Sequence, residues 1–476
     1  MTRRPAVASG RHRNRPEAGT LARLQQRLRA LLGGADGRFV VKTSLASSAI
    51  RSVGLVLMTV VTILFTRLMG AEEYGRLAFL LSGAFVIVLF TGLGLPTASS
   101  KLVPRYLSRG QRERAGHYFV FGCGLLLLVA MPVGCLFFLG LAAVPALNGF
   151  AFSFAGTLGL VVTISLMRFL SEGSRAFGFQ MLSFLAESIF VRVLLLGILL
   201  AFLALGLVLD ARAALHLWVL AQALTVVGVL VWLVRRLQLG RTELRPRPLR
   251  LYRGWLATSS VMLVTPVFYF LLFETDIIAL GILAGPYEVG IYQVARRLAE
   301  LATFCSGAVS AVCLPRLAQA HAERDTARLQ ATVDSMYMLG VGSTALVGAA
   351  LLVLGPWGLA LFGPEFAAGY SVLLVLTVGR VLAVLVGPTS DLLLMTGHHR
   401  RLGYVNLAVA LGNIALNLVL VPRLGGLGAA IATSTAAVGW TLWLYLLARR
   451  HTPIEPCLLL RLRRPPAAAD LSRAES

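Results

Sequence analysis

The chain has 476 residues, 57% of them hydrophobic and only 14% charged, with a net charge of +23. A soluble domain carries about 25% charged residues, so the composition excludes an ordinary soluble enzyme and points to a polytopic membrane protein. The positive charge does not make nucleic acid a partner. The basic residues lie in short segments between apolar runs, as cytoplasmic membrane loops do.

In chain order, residues 1–43 read as a basic cytoplasmic tail with no cleavable signal peptide, because no short apolar stretch with a cleavage site follows it. Within it, Leu21, Leu24, Leu28, Leu31 and Leu32 share one helical face and Arg23, Arg27 and Arg29 occupy the rest. That pattern suits a helix on an anionic membrane surface, or a solvated helix that adds positive charge. A membrane-crossing helix needs about 20 apolar residues. By that ruler twelve spans follow: 44–69, 77–99, 117–140, 152–170, 178–206 and 213–235, then 255–283, 289–315, 333–355, 370–396, 402–422 and 426–448. The expected organisation is an N-terminal six-helix bundle over 44–236, a cytoplasmic linker over 237–254, a C-terminal bundle over 255–449 and a cytoplasmic tail over 450–476. With the N-terminus inside, 35 of the 44 Lys and Arg fall in inside segments and only Arg76, Arg212 and Arg423 outside. This asymmetry supports the span count and sets both termini in the cytoplasm; the location expected is the inner (plasma) membrane.

Two hairpins mark the halves. Gly70-Ala71-Glu72-Glu73-Tyr74-Gly75 and Gly285-Pro286-Tyr287-Glu288-Val289-Gly290 align at an offset of 215 residues, and Arg109 falls on Arg324 at the same offset. Each half has an even number of spans, so the repeat is parallel, related by an axis along the membrane normal. The fold expected is all-α integral membrane, with about twelve transmembrane helices as two parallel six-helix bundles around a central cavity.

A charge at the bilayer centre costs about 2.5–3.5 kcal/mol on insertion scales, so charges within spans are functional candidates. They are Arg51, Glu187, Arg192, Glu274, Asp276, Arg296, Arg297, Glu300, Arg380 and Asp391, with Asn406, Asn413 and Asn417 adding polar edges. Arg51 reads as a phosphate ligand in a cavity or as an arginine reaching back to the interface. Consecutive residues are 100° apart on a helix, so one of Arg296 and Arg297 is expected to face the cavity. Either can pair with Glu300. Glu274 and Asp276 face different ways. Glu187 and Arg192, five apart, are not an ideal pair. Gly387-Pro388 should kink or break the helix between Arg380 and Asp391. The five cysteines form no CxxC pair and read as packing residues, so neither a disulfide nor a metal is inferred. No phosphate-binding G-x-x-x-x-G-K-[ST], H-E-x-x-H or G-x-S-x-G motif is present, and no cofactor is implied. His398-His399-Arg400-Arg401 reads as inside positive charge. With no loop longer than about 20 residues between spans, the chain is suited to moving a substrate rather than transforming one.

Three stretches carry a family resemblance: TRLMGAEEYGRLAF (Thr66 to Phe79), TDIIALGILAGPYEVGIYQVARRLAEL followed by Pro315, and LLLMTGHHRR followed by NIALNLVLVPRLGGLGAAIATSTA (Asn413 to Ala436). Together they resemble polysaccharide flippases, the Wzx-like branch of the multidrug/oligosaccharidyl-lipid/polysaccharide exporter superfamily, over about residues 40–450. The resemblance implies two bundles around a central cavity. It implies a lipid-linked oligosaccharide as substrate, moved from the cytoplasmic to the outer leaflet, with cationic cavity residues meeting its pyrophosphate. Arg51, Arg296, Arg297 and Arg380 are then the substrate-binding candidates, and Glu274, Asp276 and Asp391 the ion-coupling ones. Expected partners are the lipid-linked oligosaccharide, membrane lipids and polysaccharide synthesis or polymerase proteins. Two other readings remain open at this level: a cation-coupled multidrug-extrusion antiporter, and a non-transporting scaffold for synthesis enzymes.

Overall fold

The computed structural model describes residues 35–238, 248–458 and 460, without the side chains of 35–48, 264–273 and 399–400. The expected tail helix Leu21–Leu32, the centre of the linker (239–247) and the tail from 461 lie outside the described residues. Ser48–Ser476 is one compact unit, distinct from Met1–Ser47. Every regular element among the described residues is helical. Apolar runs of this length satisfy their backbone groups internally only as helices.

In order these are α1 (Ala35–Thr91), α2 (Leu95–Ser108), α3 (Arg112–Ala143), α4 (Phe154–Ala176), α5 (Gln180–Leu185), α6 (Val191–Ala204) and α7 (Ala211–Leu237). Then come α8 (Leu249–Leu283), α9 (Pro286–Ala322), α10 (Thr326–Ala360), α11 (Tyr370–Leu385), α12 (Thr389–Met395) and α13 (His399–His451). Among the described residues nine helices are long and apolar enough to cross a membrane, not twelve. The difference has a local cause. Two pairs of expected spans are fused into α1 and α13, which bend at Gly70 (φ 77°, ψ 179°) and Gly425 (φ 54°, ψ −133°) with helix resuming at once on the far side. The seventh expected span falls on α8, whose side chains are only partly described. The six-residue turns expected from sequence are therefore much tighter. A single glycine with positive φ makes each bend, Gly70 in the first half and Gly285 (φ 91°, ψ 174°) in the second, and the next helix begins at Ala71 and Pro286. Only glycine reaches these conformations without strain.

The offset of 215 residues reappears as contacts. A Cβ on Gly75 would lie 1.8 Å from the Pro286 carbonyl oxygen, and one on Gly290 would lie 2.0 Å from that of Ala71. Residues 71 and 75 correspond to 286 and 290, so the two bends pack reciprocally against each other, as a two-fold axis requires. Small residues permit this backbone approach. Glu73 Oε2 accepts from the Ala211 amide at 3.0 Å, opening α7, and its counterpart Glu288 accepts from Gly426 at 2.8 Å. One apolar cluster runs through this junction and joins both halves, including Phe65, Leu77, Phe79, Val289, Tyr292 and Leu298. A second cluster, around Tyr118 and Phe169, fills the first half and takes in Trp255 of α8, and a third, around Leu317, Val333 and Leu444, fills the second half.

Candidate functional site

A cavity of about 440 Å³ lies between the halves. Residues of α1, α4, α6 and α7 line it on one side, and α8 and α9 on the other. Glu274, Arg296, Arg297 and Glu300 all line it. Both arginines face this space, where only one was expected to. Arg296 sits between two carboxylates, with Nη2 3.5 Å from Glu274 Oε1 and Nε 3.8 Å from Glu300 Oε1. Arg297 Nη1 reaches Glu300 Oε2 at 3.3 Å. Pro286 starts α9 directly after the Gly285 bend, which holds α8 and α9 side by side and brings residue 274 opposite 296.

The first half supplies Arg168, Glu187 and Arg192. A π-helical turn, Ala186–Phe190, interrupts the helix between α5 and α6. Such wide turns leave carbonyl groups without helical partners and recur at functional positions. Arg192 Nη1 fills the gap by donating to the carbonyls of Glu187 and Ser188 (2.8 and 2.5 Å). Arg192 therefore has no carboxylate within 4 Å among the described residues, while the Glu187 carboxylate turns to Arg175 Nη2 at 3.5 Å. Arg168 stands at the edge of the fourth expected span (152–170) and counts with the inside segments rather than among the charges within spans. α4 continues to Ala176, and Arg168 lies within the helix, on the cavity. Gln222 and Gln293 also line the space, and the buried Oε1 of Gln293 has no partner among the described residues. A single glutamine in a span carries no distinguishing sequence signal, so both were missed.

The remaining candidates stand elsewhere. Arg51 is exposed and is not among the residues lining this cavity; its guanidinium lies over the Phe184 ring at 4.8 Å, a ring it shares with Arg175. Such stacking holds the cation beside the π-helical turn. Asp276, two residues beyond Glu274, points the other way into the second half and is 1% exposed. Its Oδ1 accepts from Asn413 Nδ2 (3.1 Å) and Asn417 Nδ2 (3.0 Å), and its Oδ2 from the hydroxyls of Tyr292 (2.8 Å) and Thr433 (2.5 Å). Arg380 and Asp391 line a separate cavity of about 260 Å³ inside the second half. Arg380 Nη1 donates to Thr303 Oγ1 at 3.3 Å, and Asp391 faces Ser310. The helix between them breaks as expected: α11 ends at Leu385, Gly387 has φ 104°, and α12 starts at Thr389.

Residues 40–321, more than half of the chain, match the family model described as "Polysaccharide biosynthesis protein". The chain belongs to the polysaccharide biosynthesis protein family. Within that setting it is similar to the "Probable flippase AglR" of Haloferax volcanii, 32% identical over 169 residues, 33% of this chain and 34% of that protein. The match thus spans about a third of the length of this curated relative. In fold it resembles a multidrug resistance MATE family transporter of the MOP superfamily in an inward-facing conformation (TM-score 0.67, 15% identity, 86% of this chain and 97% of that one). It also resembles lipid II flippase MurJ in an inward closed conformation (TM-score 0.65, 14% identity, 87% and 88% covered). This member of the family is thus a multi-pass membrane protein with a MOP-superfamily fold.

Proposed function

We propose that the chain is a transporter that flips polyprenyl-pyrophosphate-linked oligosaccharide from the cytoplasmic to the outer leaflet by alternating access. The carrying observation is the cavity between the halves, where Arg168, Arg192, Arg296 and Arg297 face Glu187, Glu274 and Glu300. One positive charge is left over, and Arg192 is the cation with only carbonyl partners. A site that mixes cations with amides suits a pyrophosphate joined to a hydroxylated sugar. Arg192 and Arg297 anchor the phosphates, Gln222 and Gln293 meet sugar hydroxyls, and the prenyl chain stays in lipid. Arg51 and Arg380 flank the path, at the mouth beside Phe184 and at the border of the second cavity. The two halves rock about the reciprocal Gly75–Gly290 contact. Coupling to a cation runs through Asp276, whose buried carboxylate is ringed by movable polar groups. Glu274 serves as the charge partner of Arg296, and Asp391 stands on the route within the second half. The protein resides in the inner membrane with cytoplasmic termini, next to the synthesis and polymerase proteins whose substrate it carries, and performs no covalent chemistry. A multidrug antiporter has the same fold, but a cavity with surplus positive charge disfavours cationic drugs.

The test is reconstitution. Liposomes holding the purified protein should flip a fluorescent prenyl-pyrophosphate sugar, and Arg192→Ala with Arg297→Ala should slow it by a factor of at least ten per 1.4 kcal/mol of lost anion binding, on the order of one to two factors of ten. A rate no higher than in empty liposomes would remove the proposal. Equal flipping of an uncharged prenyl sugar would remove the arginines' role.

A further inference from the structure

The chain does not simply leave the bundle at the end of α13. After His451 it turns back, and Ile454, Pro456 and Cys457 are buried again. Ile454 is 3% exposed and packs in the apolar cluster of the second half with Leu317, Leu329 and Val333. Glu455 is the latch. Its amide donates to Gln330 Oε1 at 3.0 Å while Gln330 Nε2 donates to its carbonyl at 2.9 Å, a reciprocal pair. Its carboxylate accepts from the Tyr445 hydroxyl at 2.7 Å and lies 3.6 Å from Arg449 Nε.

The strap packs against residues that also line the second cavity. Tyr337, Gly387 and Pro388 are among the residues lining that cavity. The Cys457 thiol lies 3.9 Å from the Tyr337 hydroxyl and 3.6 Å from the Leu385 carbonyl. The Pro456 carbonyl oxygen stands where a Cβ on Gly387 would come within 2.3 Å. The wall beneath it is the broken helix between α11 and α12, whose backbone is held less firmly than an unbroken one. The same cavity is lined by Asn413 and Thr433, two of the residues that hold Asp276. Asp391, Ser306 and Ser310 line it as well. The cavity shares no lining residue with the one between the halves. The cavity, of about 260 Å³, sets Thr303, Ser306, Ser310, Asp391 and Asn413 among apolar side chains and is roomy enough to hold water against that polar row.

We propose that Thr452–Leu458 is a plug on the cytoplasmic mouth of a water and cation path to Asp276, separate from the substrate cavity, and that the Glu455 latch sets whether this path is open. The cation part rests on the coupling role given to Asp276 above; the plug itself does not. Opening requires Glu455 to leave Gln330 and Tyr445, which frees Pro456 and Cys457 to lift from Gly387 and Tyr337.

The experiment is thiol access from the cytoplasmic side. All five native cysteines are replaced by Ser and Ser306→Cys is introduced as reporter in the full chain. Inside-out vesicles are treated with a membrane-impermeant cationic thiosulfonate. With Glu455→Ala and Gln330→Ala the reporter should react about tenfold faster than in the latched parent, the change that loss of a few hydrogen bonds brings. A reporter in the other cavity, Ser82→Cys, should not change. Gln330→Glu, which can keep only part of the reciprocal pair, should fall between. Equal Ser306→Cys rates in latched and unlatched proteins of the same monodispersity would overturn the plug. So would acceleration at Ser82→Cys to the same extent, which reports general loosening. Access is measured without substrate, so the result is independent of whether lipid-linked sugar is the cargo.

Discussion

Asp276 offers the sharpest separation of structure from function. Replacing it by Ala removes the acceptor for two amides and two hydroxyls at a site that is 1% exposed. The hydroxyls can turn to each other, since Tyr292 Oη and Thr433 Oγ1 are already 3.4 Å apart. Asn417 Nδ2 keeps its bonds to the carbonyl and side-chain oxygens of Asn413. Asn413 Nδ2 is left stranded. One or two unsatisfied buried donors at about 1–3 kcal/mol each put Asp276→Ala about 1–6 kcal/mol below the parent. Asp276→Asn differs: its oxygen retains the two amide donors and its own amide donates to the hydroxyls, so the cost is within about 1 kcal/mol. Thermal unfolding in detergent should rank the proteins parent, Asn, Ala, with the first two close together. A bound coupling cation stabilises the parent by mass action, by about 2.7 kcal/mol at a hundred times its Kd. The parent's midpoint should therefore move with Na⁺ while that of Asp276→Asn stays fixed. A full cation response in Asp276→Asn would refute the coupling role, and an undestabilised Asp276→Ala would refute the packing argument.

Arg296→Ala leaves Glu274 and Glu300 facing each other across the gap it fills, and breaking such a pair costs about 3–5 kcal/mol, less where Glu300 is partly solvated. Adding Glu274→Gln should recover much of the lost unfolding midpoint, and no recovery would mean the pairing is not what matters. Gly75→Ala and Gly290→Ala should each abolish monodisperse protein in size-exclusion chromatography, because the new methyl meets backbone at 1.8 and 2.0 Å. Gly342→Ala, with nothing within 4 Å, should be neutral or stabilise by about 0.5–1 kcal/mol. Arg51→Ala should lower flipping of a pyrophosphate-linked lipid with expression unchanged, and a wild-type rate would take Arg51 out of the substrate path.

Sequence alone determined that the chain lives in a membrane, where its apolar runs lie, that its halves repeat at a fixed offset, and which charges within those runs to suspect. These follow from hydropathy, loop charge and a 215-residue offset, all one-dimensional properties. It also located the break at Gly387-Pro388, because proline and glycine act locally. What the tertiary structure decided is which of those charges meet. Glu274 and Asp276 are two residues apart, yet one closes on Arg296 in the space between the halves and the other on Asn413 and Asn417 inside the second half. Arg168, at the edge of an expected span, lines the cavity because α4 runs on to Ala176, and Arg192 turned to backbone because a π-helical turn shifted its phase. Pairing across helices depends on rotation, bend angle and approach distance, and those are fixed by packing such as the reciprocal seat of Gly75 and Gly290. No property of either sequence segment read by itself carries that information.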